Sequence, residues 1–164
     1  MNLKLKLGIV AAAAMMGAST MTAQVFTDSN PGIVMAGSYD TSKLPEKAHK
    51  FLKKHFPSAT VVKCEQYYAK GKISVELNTG VDVDFNLKGD VMEVDAPNGT
   101  VLSEALVKDV LPKDSYDRLV KDGYASRVES IEFKGKRAIE VEVDKPDPDT
   151  YIFDIFGPFI MLED

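Results

Sequence analysis

The chain has a single cysteine, Cys64, so it can form no disulfide within itself and must be held by its apolar core. It has no tryptophan and only two histidines. His49 and His55 are too far apart in sequence to share a helix face as an i, i+4 metal pair would. No Gly-rich phosphate loop and no serine on a nucleophile elbow is present. These absences argue against an enzyme and imply no metal and no cofactor. Positive charge is also short: 20 Lys and Arg stand against 25 Asp and Glu, a net charge of −5. Nucleic acid and anionic lipid surfaces would both repel such a chain. No apolar run reaches the roughly 20 residues needed to cross a bilayer as a helix.

The longest apolar run lies at the N-terminus and has a different character. Lys4 and Lys6 precede an apolar and small-residue run from Leu7 to Met16, and a polar stretch then leads to Ala23. That order is the one a secretory signal peptide requires, with cleavage expected after Ala23. No cysteine follows the run, so no lipid anchor is expected. Cleavage would leave about 141 residues carrying a charge of about −7, enough for one domain with its own core. The expected location is the periplasm or the medium, with no membrane insertion after processing. Residues 24–43 are rich in Ser, Thr, Gly, Asn and Asp and read as a loose arm, with one short strand around Ile33 to Ala36.

From Leu44 the pattern sharpens. Ala48, Phe51, Leu52 and Phe56 recur at helical spacing between Pro45 and Pro57, with Lys47, Lys50, Lys53 and Lys54 on the other face. Strand signals follow at Thr60 to Tyr68, Ile73 to Leu77, Val81 to Phe85 and Val91 to Val94. The middle two alternate strictly, as in a sheet with one dry and one wet face. The breaks at Gly71, Asn78-Thr79-Gly80 and Asn86 to Gly89 have hairpin chemistry. Past Asn98-Gly99, two short helices are expected, one around Leu102 to Val110 and one after Asp114, read as its N-cap, with Gly123 just past its end. Strands return at Ser126 to Phe133, Arg137 to Val143, Tyr151 to Ile155 and Phe159 to Leu162.

The two halves repeat one another. Leu44-Pro45, Leu52, Val61 and Glu65 recur as Leu111-Pro112, Leu119, Val128 and Glu132, all at a shift of 67. The shift then becomes 66 at Val75-Glu76 and Val141-Glu142, and 68 at Phe85 and Phe153 and at Gly89 and Gly157. An ordered series of this kind points to duplication. The expected fold is α+β: two tandem helix-plus-antiparallel-sheet repeats, 44–97 and 98–164, sharing one sheet with the helices on one face.

The run from Leu44 to Pro57 resembles the opening helix of the PepSY-like periplasmic domain family. The alternating stretch Ile73 to Phe85, with its turn to Gly89, is similar to that family's central hairpin. The resemblance covers Leu44 to Leu162 and is stronger in the first half; Lys145-Pro-Asp-Pro-Asp149 and Gly157-Pro158 depart from the pattern. It implies a fold like that of the β-lactamase inhibitory protein, and with it protein binding without catalysis, extending to enzyme inhibition.

The wet face carries the candidate site. If Asn78 to Gly80 is a three-residue loop, Glu76 faces Asp82, a like-charge pair that costs a few tenths to about 1 kcal/mol. Lys63 on the neighbouring strand is the expected internal neutraliser; a cation or a basic partner is the functional alternative. Asp82 to Asp90 superficially resembles a calcium loop, but Leu87 stands where the loop's Gly should sit relative to Asp82 and the strand alternation through Asp84 argues against a looped chelate, so it reads as a hairpin. Tyr67 shares the parity of Lys63, Glu65, Ser74 and Glu76. Cys64, taken in phase with Val62, points to the core, and both histidines read as helix-surface or half-buried. The candidate partner-binding residues are therefore Tyr67, Glu76, Asp82 and Asp84, with Asp147 and Asp149 of the proline-stiffened loop. The expected partner is an envelope or secreted protein.

Overall fold

In the computed structural model, residues 41–42, 44–144 and 150–163 are described. The signal-peptide run, nearly all of the arm, and Asp147 and Asp149 lie outside the described residues. Among the described residues the fold is α+β, with three α-helices and one open eight-stranded antiparallel sheet whose strands follow sequence order. Helix α1 (Glu46–His55) leads into β1 (Val61–Tyr67), β2 (Lys72–Leu77), β3 (Asp82–Asn86) and β4 (Val91–Asp95). Helices α2 (Glu104–Val110) and α3 (Lys113–Asp122) lead into β5 (Val128–Lys134), β6 (Ala138–Val143), β7 (Thr150–Asp154) and β8 (Phe159–Glu163). No described helix is long and apolar enough to cross a membrane.

Alternation decides which face is dry. Ile73, Val75 and Leu77 of β2, Val83 and Phe85 of β3, and Ile139, Val141 and Val143 of β6 are buried. They form one core with Ala48 and Leu52 of α1, Leu106 and Val107 of α2, and Leu119 of α3. Phe85, Tyr151 and Phe153 are the largest fully buried side chains, each contributing about 1.5–3 kcal/mol by leaving water. Phe51 of α1 meets Phe85 edge-on at 5.7 Å between centroids, within the favoured range for aromatic pairs. The helices thus take up the apolar face and leave the other face of the sheet to water.

The two halves share their irregularities as well as their order. A bulge interrupts β1 between Val61 and Lys63, and another interrupts β5 between Val128 and Ser130. The pairing slips again between Asp84 and Phe85, and between Ile152 and Phe153. Each bulge resets the alternation by one residue. Cys64 does face the core side, opposite Val75, but in phase with Val61; Val62 is the extra residue in the bulge.

Helix ends also differ from the expected ones. The N-cap of α3 is Pro112, not Asp114, which sits in the first turn, and α1 is capped by Pro45; neither cap has a side-chain hydrogen bond. Only α2 has one, where the Ser103 hydroxyl accepts from the Leu106 amide at 3.3 Å. His49 is more enclosed than expected, being buried, whereas His55 is half-buried as expected and its ring pairs with Asp109 at 2.8 Å. Lys47, Lys50 and Lys54 of α1 lie exposed, as expected, and each is paired with an acid. Lys47 pairs with Asp90, Lys50 with Glu46 and Lys54 with Asp109.

Candidate functional site

Strand register fixes which wet-face side chains stand abreast, and it produces two rows across the whole sheet. One row runs Lys63, Glu76, Asp82, Asp95, Ser130, Glu142, Thr150 and Glu163 from β1 to β8. The other runs Glu65, Ser74, Asp84, Glu93, Glu132, Glu140, Ile152 and Met161. Over the first half these rows form a shallow depression of about 260 Å³, lined by Tyr67, Lys72, Ser74, Glu76, Asp82, Asp84, Glu93 and Asp95 among others. Tyr67, Glu76, Asp82 and Asp84 are therefore brought onto one surface. Lys72, Glu93 and Asp95 join them without having been singled out from sequence. The bulge at Met92 moves Glu93 and Asp95 onto the wet face, and no sequence alternation announces it.

Glu76 faces Asp82, and Asp82 faces Asp95. Lys63 stands opposite Glu76 as expected, but its amine bonds Glu65 at 3.0 Å instead. The expected neutralisation of Glu76 is thus diverted one row away. Burial, and then the charges of Glu76, Asp95 and Asp84, push the Asp82 carboxyl above its ordinary range, with Lys63 opposing. Burial raises Asp95 likewise. Among the described residues, Glu76, Asp82 and Asp95 take part in no ion pair.

The second row is organised differently. Asp84 is only 5% exposed, where alternation alone would leave it in water. The Lys72 amine bonds its carboxylate, which raises the lysine above its usual value. Glu93 stands between Asp84 and Glu132. Burial first, then a hydrogen bond to Asp84 and the charges of Glu132 and Asp84, raise it to about 7, with Lys72 opposing. At the row's ends cations are committed: the Tyr67 hydroxyl and Lys63 both donate to Glu65 and lower it. Lys134 bonds Glu132, and also Glu140 at 2.9 Å.

The face is lined mainly by acids, with Lys63, Lys72 and Tyr67 among them. No group of three or more His, Cys, Asp or Glu residues among those described is arranged to hold a metal ion. Phe156 is 84% exposed, whereas Phe159 packs on Tyr151 and Phe153 and lies under the Arg118 guanidinium at 4.0 Å.

No family model and no curated protein matches the chain. Solved structures do. A proposed periplasmic protein of unknown function from Bacteroides vulgatus is similar at 27% identity and a TM-score of 0.59, over 76% of this chain and 95% of that one. A proposed periplasmic protein of the DUF2874 family from the same organism is similar at 25% identity and a TM-score of 0.57, over 76% of this chain and 94% of that one. A proposed calcium-regulated periplasmic protein from Bacteroides thetaiotaomicron shares the fold at 24% identity and a TM-score of 0.60, over 76% and 94%. These likenesses support a fold found in periplasmic proteins and do not single out the PepSY-like family.

Proposed function

We propose that the chain is an exported, non-catalytic binding module that takes a positively charged stretch of an envelope or secreted protein on the wet face of its sheet. The observation that carries this reading is the run Glu76, Asp82, Asp95, three acids abreast on adjacent strands with no ion pair among the described residues. Like charges so placed weaken a sheet, and a docked cationic surface offsets that cost. Export is supported by the signal-peptide pattern and by the periplasmic description of the similar structures. The two halves read as tandem copies of one helix-plus-four-strand unit, supported by their matching bulges.

Affinity capture with tagged mature chain, beginning at Gln24, tests the reading. A basic partner is expected from the envelope or secreted fraction, released at about 0.5 M salt because exposed charge pairs are screened there. The E76Q/D82N/D95N variant is expected to hold it at least about tenfold less well, the equivalent of 1.4 kcal/mol. Equal capture by that variant would move the site elsewhere, and charge reversal at Asp147 and Asp149 would then test the loop. If the captured partner is an enzyme, inhibition becomes the next assay.

A second reading is an inorganic cation attracted by the summed charge of the three acids, which are not grouped to chelate it. The protein's melting temperature should then rise at millimolar calcium, and E76Q/D82N should abolish that rise while raising the calcium-free value. No calcium shift in the wild type would remove the cation reading and leave the protein partner.

A further inference from the structure

We propose that Glu93, set between Asp84 and Glu132, carries a proton when no partner is bound and releases it when a cationic partner docks, so that binding strengthens as pH rises toward neutrality. The inference rests on the wet face being the binding surface. It begins from geometry. Strand register sets Glu93 directly opposite Asp84 on one side and Glu132 on the other, and three carboxyl groups abreast on adjacent strands resist carrying three charges at once.

The surroundings favour keeping that proton. From β3, Asp84 faces Glu93 directly and Asp82 stands one row away. From β5, Glu132 faces it on the other side, and Glu140 of β6 stands behind Glu132. Asp95 flanks it on its own strand. The cations in reach are Lys72 of β2, bonded to Asp84, and Lys134 of β5, bonded to Glu132 and Glu140. Neither amine is committed to Glu93. The midpoint near 7 set by burial and these neighbours agrees with the geometry.

A second, independent observation separates this cluster from the needs of the fold. In the second half, Ile152 and Met161 pair at the same place in the row as Asp84 and Glu93, and Ala138 begins β6 as Lys72 begins β2. Ile152 is buried almost as deeply as Asp84, at 9% against 5% exposed. The same sheet position thus accepts an apolar side chain at the same depth. The Lys72, Asp84 and Glu93 set is an addition to the fold rather than a requirement of it.

On docking, positive charge beside Glu93 favours its ionised form. The Glu93 O–H bond breaks, the electron pair stays on the carboxylate, and the proton passes to water. No other co-reactant is needed.

The test uses the mature chain and a ten-lysine peptide as probe, with Kd measured from pH 5 to pH 8. Carboxyl carbons are followed by NMR in the chain alone. The Glu93 carbon should titrate near neutrality. Kd should tighten roughly tenfold per pH unit between about 5 and 7 and level off above, as linkage to one proton requires. In E93Q the peptide should still bind, with its Kd flat over that range. A Glu93 carbon titrating in the ordinary carboxylate range, or a wild-type Kd equal at pH 5 and pH 8, overturns the coupling and leaves the binding face standing. A peptide that binds at no pH overturns both.

Discussion

Lys72→Ala alone should destabilise the protein by about 2–4 kcal/mol, whereas K72A/D84I should restore wild-type stability or exceed it. The reason is the depth of Asp84, whose side chain is 7% exposed and whose ion-pair partner among the described residues is Lys72. Removing the amine strands a buried carboxylate directly opposite Glu93. Breaking one side of a fully buried pair costs about 3–5 kcal/mol; the estimate here is lower because the Lys72 side chain is 28% exposed and water screens part of the interaction. Asp84→Ile alone should cost much less, since the Lys72 stem can stay against the sheet while its amine turns to water. The double variant installs what the second half already carries, Ala138 and Ile152. Urea midpoints of the four proteins at pH 8 form the cycle. If K72A is as stable as wild type, the pair contributes nothing and the comparison between halves loses its force.

That comparison also shows what could be read from the sequence and what could not. The alternations Ile73 to Leu77 and Val81 to Phe85, with a tight break between them, fix the β2–β3 register without further information, and Glu76 does meet Asp82. Helix positions were legible for the same reason, because the spacing of Ala48 and Leu52 needs no tertiary context. The bulges were not legible. A bulge is selected by the curvature of the whole sheet, and nothing in Val61-Val62-Lys63 or Val91-Met92-Glu93 marks the extra residue. Phase was therefore lost at Val62 and at Glu93, and Glu93 and Asp95 went unrecognised. The burial of Asp84 was hidden for another reason. It depends on how the side chains of β2 and β4 close over it, which is a property of three strands together. Side-chain choice among acids and lysines is equally non-local: Lys63 lies opposite Glu76 yet bonds Glu65.

Gly89→Ala and Gly157→Ala should each destabilise the protein by about 2–4 kcal/mol, more than the roughly 1 kcal/mol that a left-handed backbone alone costs a non-glycine residue. Both glycines sit in hairpin turns, at φ +83° and +116°, and both turns abut the start of a helix. A Cβ on Gly89 would stand 2.9 Å from the Ala48 amide nitrogen and 2.9 Å from the Pro45 Cβ. On Gly157 it would stand 2.9 Å from the Pro112 Cβ. The obstacles are helix backbone and proline ring, which cannot rotate aside as a flexible side chain would. The close approach has a structural role, since α1 and α3 begin at prolines without side-chain caps. At α3 the turn makes the link directly: the buried Ser115 hydroxyl donates to the Gly157 carbonyl at 2.9 Å. Pushing the turn away breaks that bond and opens the join between helix and sheet. Gly135 is the internal control, because its φ is also positive, at +67°, and a Cβ there meets nothing within 4 Å. Gly135→Ala should therefore carry only the backbone cost. Equal losses at Gly89, Gly157 and Gly135 in thermal melts would show that contact with the helix starts adds nothing. A clear gap between them would show that the two turns hold the helices against the sheet.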